Sequence, residues 1–377
     1  MRTDPCQGLC YFGHMVQTQS QKKYRQCLVL SGGGFRFGIY LGMYAAACDA
    51  GQPPDLVLAS CGGAIAAAVI HTLPDPADQK AWLASPEMHR FWSAIQPAPA
   101  ATIHRTLLDV ASRAINQRPA PRVPDLFGNY LFALPTLPQL ATPAAAHGPD
   151  VALVGSKLLY TPTEVGQRRG RRKLFEQTVF CGPRAAQLLH GVRAPLGSVE
   201  WGNSAVAPQV VTDTTMPLDQ AARISVSDMY YFSCHPHGGA HYMGGVVDLF
   251  PIEMAHQLAD RVVIEFKAPF DQVMSVPAWR AVLGTNANQR LLQVHAQHAD
   301  VWIDTSDIEQ ALSKPYLRKV LAWRENRVRL EAPPSYPVFV QHMQDHWNYG
   351  YARAREAFAR DNPSAQKGMR LVNRYNR

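Results

Sequence analysis

No stretch of this chain is both apolar and long enough to cross a bilayer. The longest run of small apolar residues, Val57 to Ile70, is broken by Ser60, Gly62 and Gly63. It falls short of the roughly 20 residues a spanning helix needs. Residues 1–26 are polar and lack the apolar core of a secretory signal. Paired C-x-x-C units are also missing. The seven cysteines, an odd number, are scattered at Cys6, Cys10, Cys27, Cys48, Cys61, Cys181 and Cys234. That excludes a zinc ribbon and suits a reducing compartment. Cys27, Cys48 and Cys181 sit in apolar or helical text and read as buried thiols. Internal repeats and low-complexity blocks are absent, and nothing resembles a nucleic-acid-binding fold. The expectation is a soluble, cytoplasmic protein, with peripheral membrane contact its one route to lipid.

What is present is enough apolar sequence for a large core. Of 377 residues, 47% are hydrophobic and 18% charged, which allows one large α/β domain. The net charge of +8 favours anionic partners. Spread over so long a chain, it reads first as ordinary solubility. Residues 1–26 form an N-terminal extension and 27–377 the domain. Its core spans about 27–267, with a Pro/Ala-rich segment at 119–149 and a helical C-terminal part at 276–377. The segment 119–149 reads as a lid-like insertion or a surface excursion.

The first hundred residues alternate clearly. Cys27 to Leu30 reads as a buried strand feeding Ser31-Gly32-Gly33-Gly34, and Arg36 to Ala50 as a helix. Leu56 to Ala59 is a second strand and Gly62 to His71 a second helix. This order implies parallel strands with right-handed crossovers. Further on, 77–117 reads as helical with breaks at Pro97 and Pro99. Val151 to Tyr160 and Arg261 to Lys267 read as strands, as does Val301 to Asp304. Leu218 to Tyr231 and Ile252 to Ala259 read as helices, and an amphipathic helix begins near Tyr336 ahead of a basic tail. The run Gln167 to Lys173 reads as a solvated hairpin tip.

Two segments carry chemistry. Three glycines, Gly32, Gly33 and Gly34, let the backbone approach a ligand and turn N–H groups into the loop. The helix behind them adds a positive dipole end. The spacing fails the dinucleotide fingerprint, so an oxyanion hole is the better reading. The second segment is Val57-Leu58-Ala59-Ser60-Cys61-Gly62-Gly63-Ala64-Ile65. A strand ends on one reactive side chain and small residues open a helix, the layout of a nucleophile elbow. Cys61 is the candidate nucleophile. Its position at a helix N-terminus favours the thiolate. Ser60, one residue earlier, should face the other way. Gly62 would complete the oxyanion hole.

With these residues in view, the chain resembles the patatin-like phospholipase family. The family reads G-G-G-x-R-G, then G-x-S-x-G, then D-G-G or D-G-A. Gly32-Gly33-Gly34-Phe35-Arg36 matches the first motif, with Phe37 for its last glycine. Ala59 to Gly63 matches the second, with Cys61 for serine. Ala221-Ala222-Arg223-Ile224-Ser225 resembles the family's A-x-R-A-S helix. Tyr242 to Pro251 resembles its third motif, with Met243 where the base aspartate belongs. The resemblance runs in order from about Cys27 to Lys267. It implies an α/β, patatin-like three-layer fold with a mostly parallel central sheet flanked by helices. It also implies acyl-ester chemistry through a Ser–Asp dyad, both members of which have changed here.

A thiol needs less help from a base than a hydroxyl does, and methionine accepts no proton. His241, two residues before Met243, would share its strand face and is the candidate base. His235 and His237 compete with it. Arg36 and Asp248 are candidate supporting residues, Asp248 by orienting a histidine. The cluster Cys234, His235, His237 and His241 matches no standard metal module, so no metal and no cofactor are expected. The leading expectation is a thiol acyltransferase or acyl hydrolase acting on an ester or thioester through a Cys61 acyl-enzyme. The alternative is a catalytically silent fold that binds lipid, an acyl ligand or a protein.

Overall fold

The computed structural model describes residues 22–33, 35–138, 140, 148–312 and 318–360. The chain opens with β1 (Tyr24–Leu30), α1 (Phe37–Asp49), β2 (Leu56–Ser60) and α2 (Gly62–Thr72). Next come α3 (Pro76–Leu83), α4 (Pro86–Ser93), β3 (Gln96–Pro97), α5 (Ile103–Ile115) and β4 (Phe132–Ala133). The middle third holds β5 (Asp150–Leu158), β6 (Phe175–Cys181), α6 (Pro183–Leu188), β7 (Val211–Asp213) and α7 (Leu218–Val226). It continues through β8 (His235–His237), β9 (Ala240–Met243), α8 (Ile252–Leu258) and β10 (Ala259–Phe266). The last elements are α9 (Ser275–Val282), α10 (Ala287–His295), β11 (Val301–Asp304), α11 (Ile308–Ala311), β12 (Arg318–Ala322), β13 (Arg327–Glu331) and α12 (Tyr336–Phe358).

One sheet organises the molecule, in the order β11-β10-β1-β2-β5-β6-β7. The strands from β11 to β5 are all parallel to their neighbours. β6 then runs antiparallel to β5. Both faces are covered. On β1, Cys27 and Val29 join one apolar cluster while Leu28 and Leu30 join the other. A strand buried on both faces has no polar alternation, which is why β1 and β2 read as unbroken apolar runs. The result is a mixed α/β fold with a mostly parallel central sheet between helical layers, as the resemblance implies.

β2 pairs with β5 only as far as Ser60 and Val154. Beyond that point the same edge of β5 is taken up by β9, with Met243 opposite Ser156 and Tyr242 opposite Lys157. The end of β2 and the end of β9 are thereby brought together, and the site forms at that junction.

Several expectations are corrected. Residues 77–117 break first at Ser85-Pro86: the Ser85 hydroxyl accepts the Met88 N–H and proline takes the first turn of α4. The helix expected to reach Tyr231 stops at Val226, because the Asp228 carboxylate collects the N–H groups of Tyr230, Tyr231 and Phe232 into a loop. The segment 119–149 is not a surface excursion throughout. Ala120, Val123, Leu126, Leu131 and Phe132 are buried, while residues 139 and 141–147 lie outside the described residues. The basic run is not simply solvated either. Arg169 is 1% exposed and donates to the carbonyls of Pro119, Ala120, Arg172, Asn203 and Ser204. Cys27 and Cys181 are buried, Cys48 is half-buried, and Cys6 and Cys10 lie outside the described residues, as does the basic tail beyond Arg360.

The C-terminal helix α12 lies against α1 at backbone distance. A Cβ on Gly350 would sit 2.0 Å from the Ile39 carbonyl oxygen. Replacing glycine by alanine inside a helix ordinarily stabilises by about 0.5–1 kcal/mol. Here it forces the two helices apart, and overpacking costs about 1–3 kcal/mol. Gly350→Ala is expected to lower the midpoint of chemical denaturation; a rise would show that α12 does not dock this closely.

Candidate active site

Cys61 is the residue between β2 and α2, and its backbone has φ 51° and ψ −126°. A side chain other than glycine at positive φ costs about 1–3 kcal/mol and persists only where the surroundings enforce it. They do so here. The Cys61 N–H donates to the Ser225 hydroxyl at 2.9 Å, and that hydroxyl donates to the Val154 carbonyl at 2.6 Å. Ser60 faces away, as expected, and its hydroxyl donates to the Asp248 carbonyl at 2.8 Å. Gly245 packs so closely that a Cβ there would lie 2.9 Å from the Cys61 nitrogen. The helix read as resembling A-x-R-A-S thus supplies, through Ser225, the acceptor that pins the turn.

The Cys61 side chain is 8% exposed and lines a cavity of about 450 Å³. Gly32 and Gly33 line it with Cys61, and most of the remaining wall is apolar, including Phe35, Phe132, Phe232, Leu249 and Trp279. At its polar side sit Asp228 and Lys319, the latter donating to the Tyr231 hydroxyl at 2.6 Å. Such a volume lies within the range of small-molecule sites. A mainly apolar wall with few polar groups suits an apolar ligand.

The N–H groups expected to form an oxyanion hole divide. The Gly32 N–H is already committed, donating to the Leu249 carbonyl at 3.3 Å; its expected role is corrected on that ground. The Gly33 N–H donates to no described group. Gly62 is the first residue of α2, where an N–H has no intrahelical acceptor. Gly34 lies outside the described residues. Arg36 precedes α1 and lies against Gly33, its Cδ 3.0 Å from where a Cβ would stand.

His241 is not brought to Cys61. Its ring meets Phe127 edge to face at 5.0 Å, and it does not line the cavity. It shares the Met243 face of β9, but β9 runs toward the elbow, so His241 lies further out. Two residues of strand amount to roughly 6–7 Å. His235 bonds Gln220 at 3.0 Å instead. Asp248 does not orient a histidine: it is buried, Arg290 lies 3.1 Å away, and Gln177 donates to it at 3.3 Å. Arg290 is shared with Glu253 at 2.6 Å. Among the described residues, no group of three or more His, Cys, Asp or Glu could hold a metal ion.

Lys267 and Glu265 were not foreseen as site residues. The Lys267 ammonium contacts the Gly32 carbonyl, lies 3.0 Å from the Tyr40 hydroxyl, and pairs with Glu265 at 3.0 Å. Burial pushes this lysine down to about 8, with Glu265 pulling it back up. The available signal was a Glu and a Lys two apart closing an apolar strand, which puts both on one face.

These features, a strained thiol elbow under a glycine loop, agree with the comparison by sequence, in which residues 28–183 match the family model for patatin-like phospholipase. That stretch of the chain is similar to the patatin-like phospholipase family. The family match points to acyl-ester hydrolysis in general. No curated protein matches the chain. Among solved structures, VipD from Legionella pneumophila aligns over 89% of this chain and 67% of its own, at 12% identity and a TM-score of 0.36. No described helix is long and apolar enough to cross a membrane.

One titration follows from the cavity wall. Burial raises the Asp228 carboxyl to about 6, against the three N–H bonds that favour its ionised form. An acid raised in the folded state stabilises below its unfolded value, and that contribution is lost as pH rises through the folded value. Asp228→Asn keeps an oxygen for the three N–H groups. Wild type is therefore expected to lose stability relative to Asp228→Asn between about pH 4 and 6, by at most about 3 kcal/mol. Parallel urea titrations would expose a flat difference if this is wrong.

Proposed function

We propose that this chain is a thiol-dependent acyl hydrolase or acyltransferase in which Cys61 forms a thioester with an acyl chain held in the apolar cavity. One observation carries the reading: Cys61 holds a positive-φ elbow geometry while lining that cavity. The thiolate attacks the carbonyl carbon of an ester or thioester. A C–S bond forms, and the negative charge on the carbonyl oxygen meets the N–H groups of Gly33 and Gly62. Collapse breaks the bond to the leaving alkoxide or thiolate, which takes a proton from solvent when it needs one. Water or an acceptor nucleophile then attacks the thioester carbon, gives up its proton to solvent, and the C–S bond breaks to release the Cys61 thiolate. Nothing in this sequence needs a proton acceptor at position 243. The N-terminus of α2 favours the thiolate. Thioesters resist water better than they resist amines or thiols, so transfer suits this nucleophile.

The second reading, a silent protein that holds an acyl ligand, is favoured by one fact. Met243 is fully buried where the family's base belongs, and among the described residues no imidazole lines the cavity. Intact mass after incubation with aryl esters and acyl-thioesters separates the two. An acyl adduct present in wild type and lost in Cys61→Ala is the expected result. No adduct with any donor leaves the silent reading.

Peripheral contact with an anionic bilayer fits the same site. Leu108 is 70% exposed and Ile115 81% on α5, and Trp323 is 66% exposed after β12. Both elements adjoin the cavity: Arg113 of α5 lies over the lining Tyr230, and β12 carries Lys319. Arg105, Arg118 and Arg324 are exposed on the same segments, which supplies charge complementarity to acidic headgroups. Wild type should pellet with vesicles containing phosphatidylserine, and Leu108→Asp with Trp323→Asp should reduce this at least several-fold. Equal pelleting of the doubly substituted chain would remove the membrane from the proposal.

A further inference from the structure

Lys267 is a buried ammonium that the acyl-enzyme reading leaves unused. It follows β10 directly and is 6% exposed. A charge so enclosed is tolerated only when its hydrogens are matched by partners. An ammonium has three N–H donors, and three groups lie around this one: the Gly32 carbonyl, the Tyr40 hydroxyl and the Glu265 carboxylate. Glu265 is itself held by the Thr305 hydroxyl at 2.5 Å. Two of the partners are side chains packed beneath the loop. The third is the backbone of the loop itself.

That third contact fixes a direction. In a trans peptide the C=O and the following N–H point opposite ways. With the Gly32 oxygen drawn toward Lys267, the Gly33 N–H is turned away from it. The preceding peptide is held independently, because the Gly32 N–H donates to Leu249. Gly33 is set between these groups. A Cβ on it would lie 2.9 Å from the Lys267 ammonium and 3.1 Å from the Tyr40 hydroxyl, and Gly33 also lines the cavity. A Cβ on the neighbouring Gly32 would lie 3.2 Å from that of Cys61. Glycine peptides rotate at little cost. Left unheld, the 32–33 peptide can present an oxygen where an oxyanion needs a hydrogen.

We propose that Lys267 is a positioning residue for acyl transfer: by holding the Gly32 carbonyl it keeps the Gly33 N–H available to the carbonyl oxygen of a substrate at Cys61. This rests on the acyl-enzyme reading. Besides Glu265 and Tyr40, the charged and titratable groups near Lys267 are Arg36 and Cys61.

Two reactions at the same thiol provide the test. Acylation by p-nitrophenyl butyrate develops an oxyanion; alkylation by iodoacetamide does not. Loss of one oxyanion donor costs about 10²–10³ in rate. In Lys267→Met, acylation of the Cys61 peptide should slow by about 100-fold, with kcat falling and KM little changed. Alkylation of the same peptide should fall at least tenfold less. Because Lys267→Met strands the Glu265 charge, Lys267→Met with Glu265→Gln serves as a second variant and should show the same split. Equal losses in both reactions, or unchanged acylation, would overturn the assignment. A wild-type chain that no ester acylates overturns the acyl-enzyme reading and this inference together.

Discussion

The site depends on one unfavourable backbone angle. Cys61 holds φ at 51°, a conformation that must be over-determined to persist. Three distant parts of the chain meet to enforce it. β5 contributes the Val154 carbonyl and α7 the Ser225 hydroxyl that accepts the Cys61 N–H. The Ser60 hydroxyl reaches the Asp248 carbonyl, and Gly245 fills the space against the turn. None of these contacts uses the thiol. These contacts would hold the turn with serine there as well as with cysteine.

The neighbouring polar groups follow from sheet topology. Ligands of parallel α/β sheets gather at the carboxyl ends of strands. β10, β1 and β2 are adjacent and parallel. Their ends deliver Lys267, the glycine loop and Cys61 in that spatial order. Helices cover both faces, so any charge brought to this edge is buried and needs a partner. Glu265 answers Lys267, and Arg290 answers Asp248. The ion pairs brace the loops around a cavity whose wall is mainly apolar. Where no carboxylate is available, backbone does the same work: Arg169 is held by carbonyls from three separate segments.

The sequence made the centre of the fold legible because its signals there are local. β1, α1, β2 and α2 follow one another with short connections, and each apolar run ends on glycine or a small residue. The elbow and glycine loop are part of that text. Long-range partners carry no such mark. Arg169 looks like any basic turn residue, since four of its five acceptors lie about 30 to 50 positions away. Asp248 looked like a partner for histidine because Arg290, its actual partner, belongs to α10. His241 was placed by a correct rule applied without distance: alternation puts it on the Met243 face, but not near the thiol.

On the acyl-enzyme reading, the two departures that the family resemblance implies, Cys61 and Met243, would be physically coupled. An aspartate beside a serine hydroxyl serves because the nucleophile is neutral until attack. A thiolate is already charged. A carboxylate about 4 Å from it would oppose its ionisation by about 4 kcal/mol at the effective dielectric of a partly enclosed site. Methionine at that place adds no charge and offers a polarisable, apolar contact. The positive end of α2 would act on a thiolate in the opposite sense, favouring it. Exchanging serine for cysteine while keeping the acid would have set two anions together in a buried space. Methionine in place of that acid would relieve the repulsion. The same replacement, set beside a retained serine, would have removed the base on which the hydroxyl depends. Met243 is thus more readily reconciled with a working thiol than with a working hydroxyl.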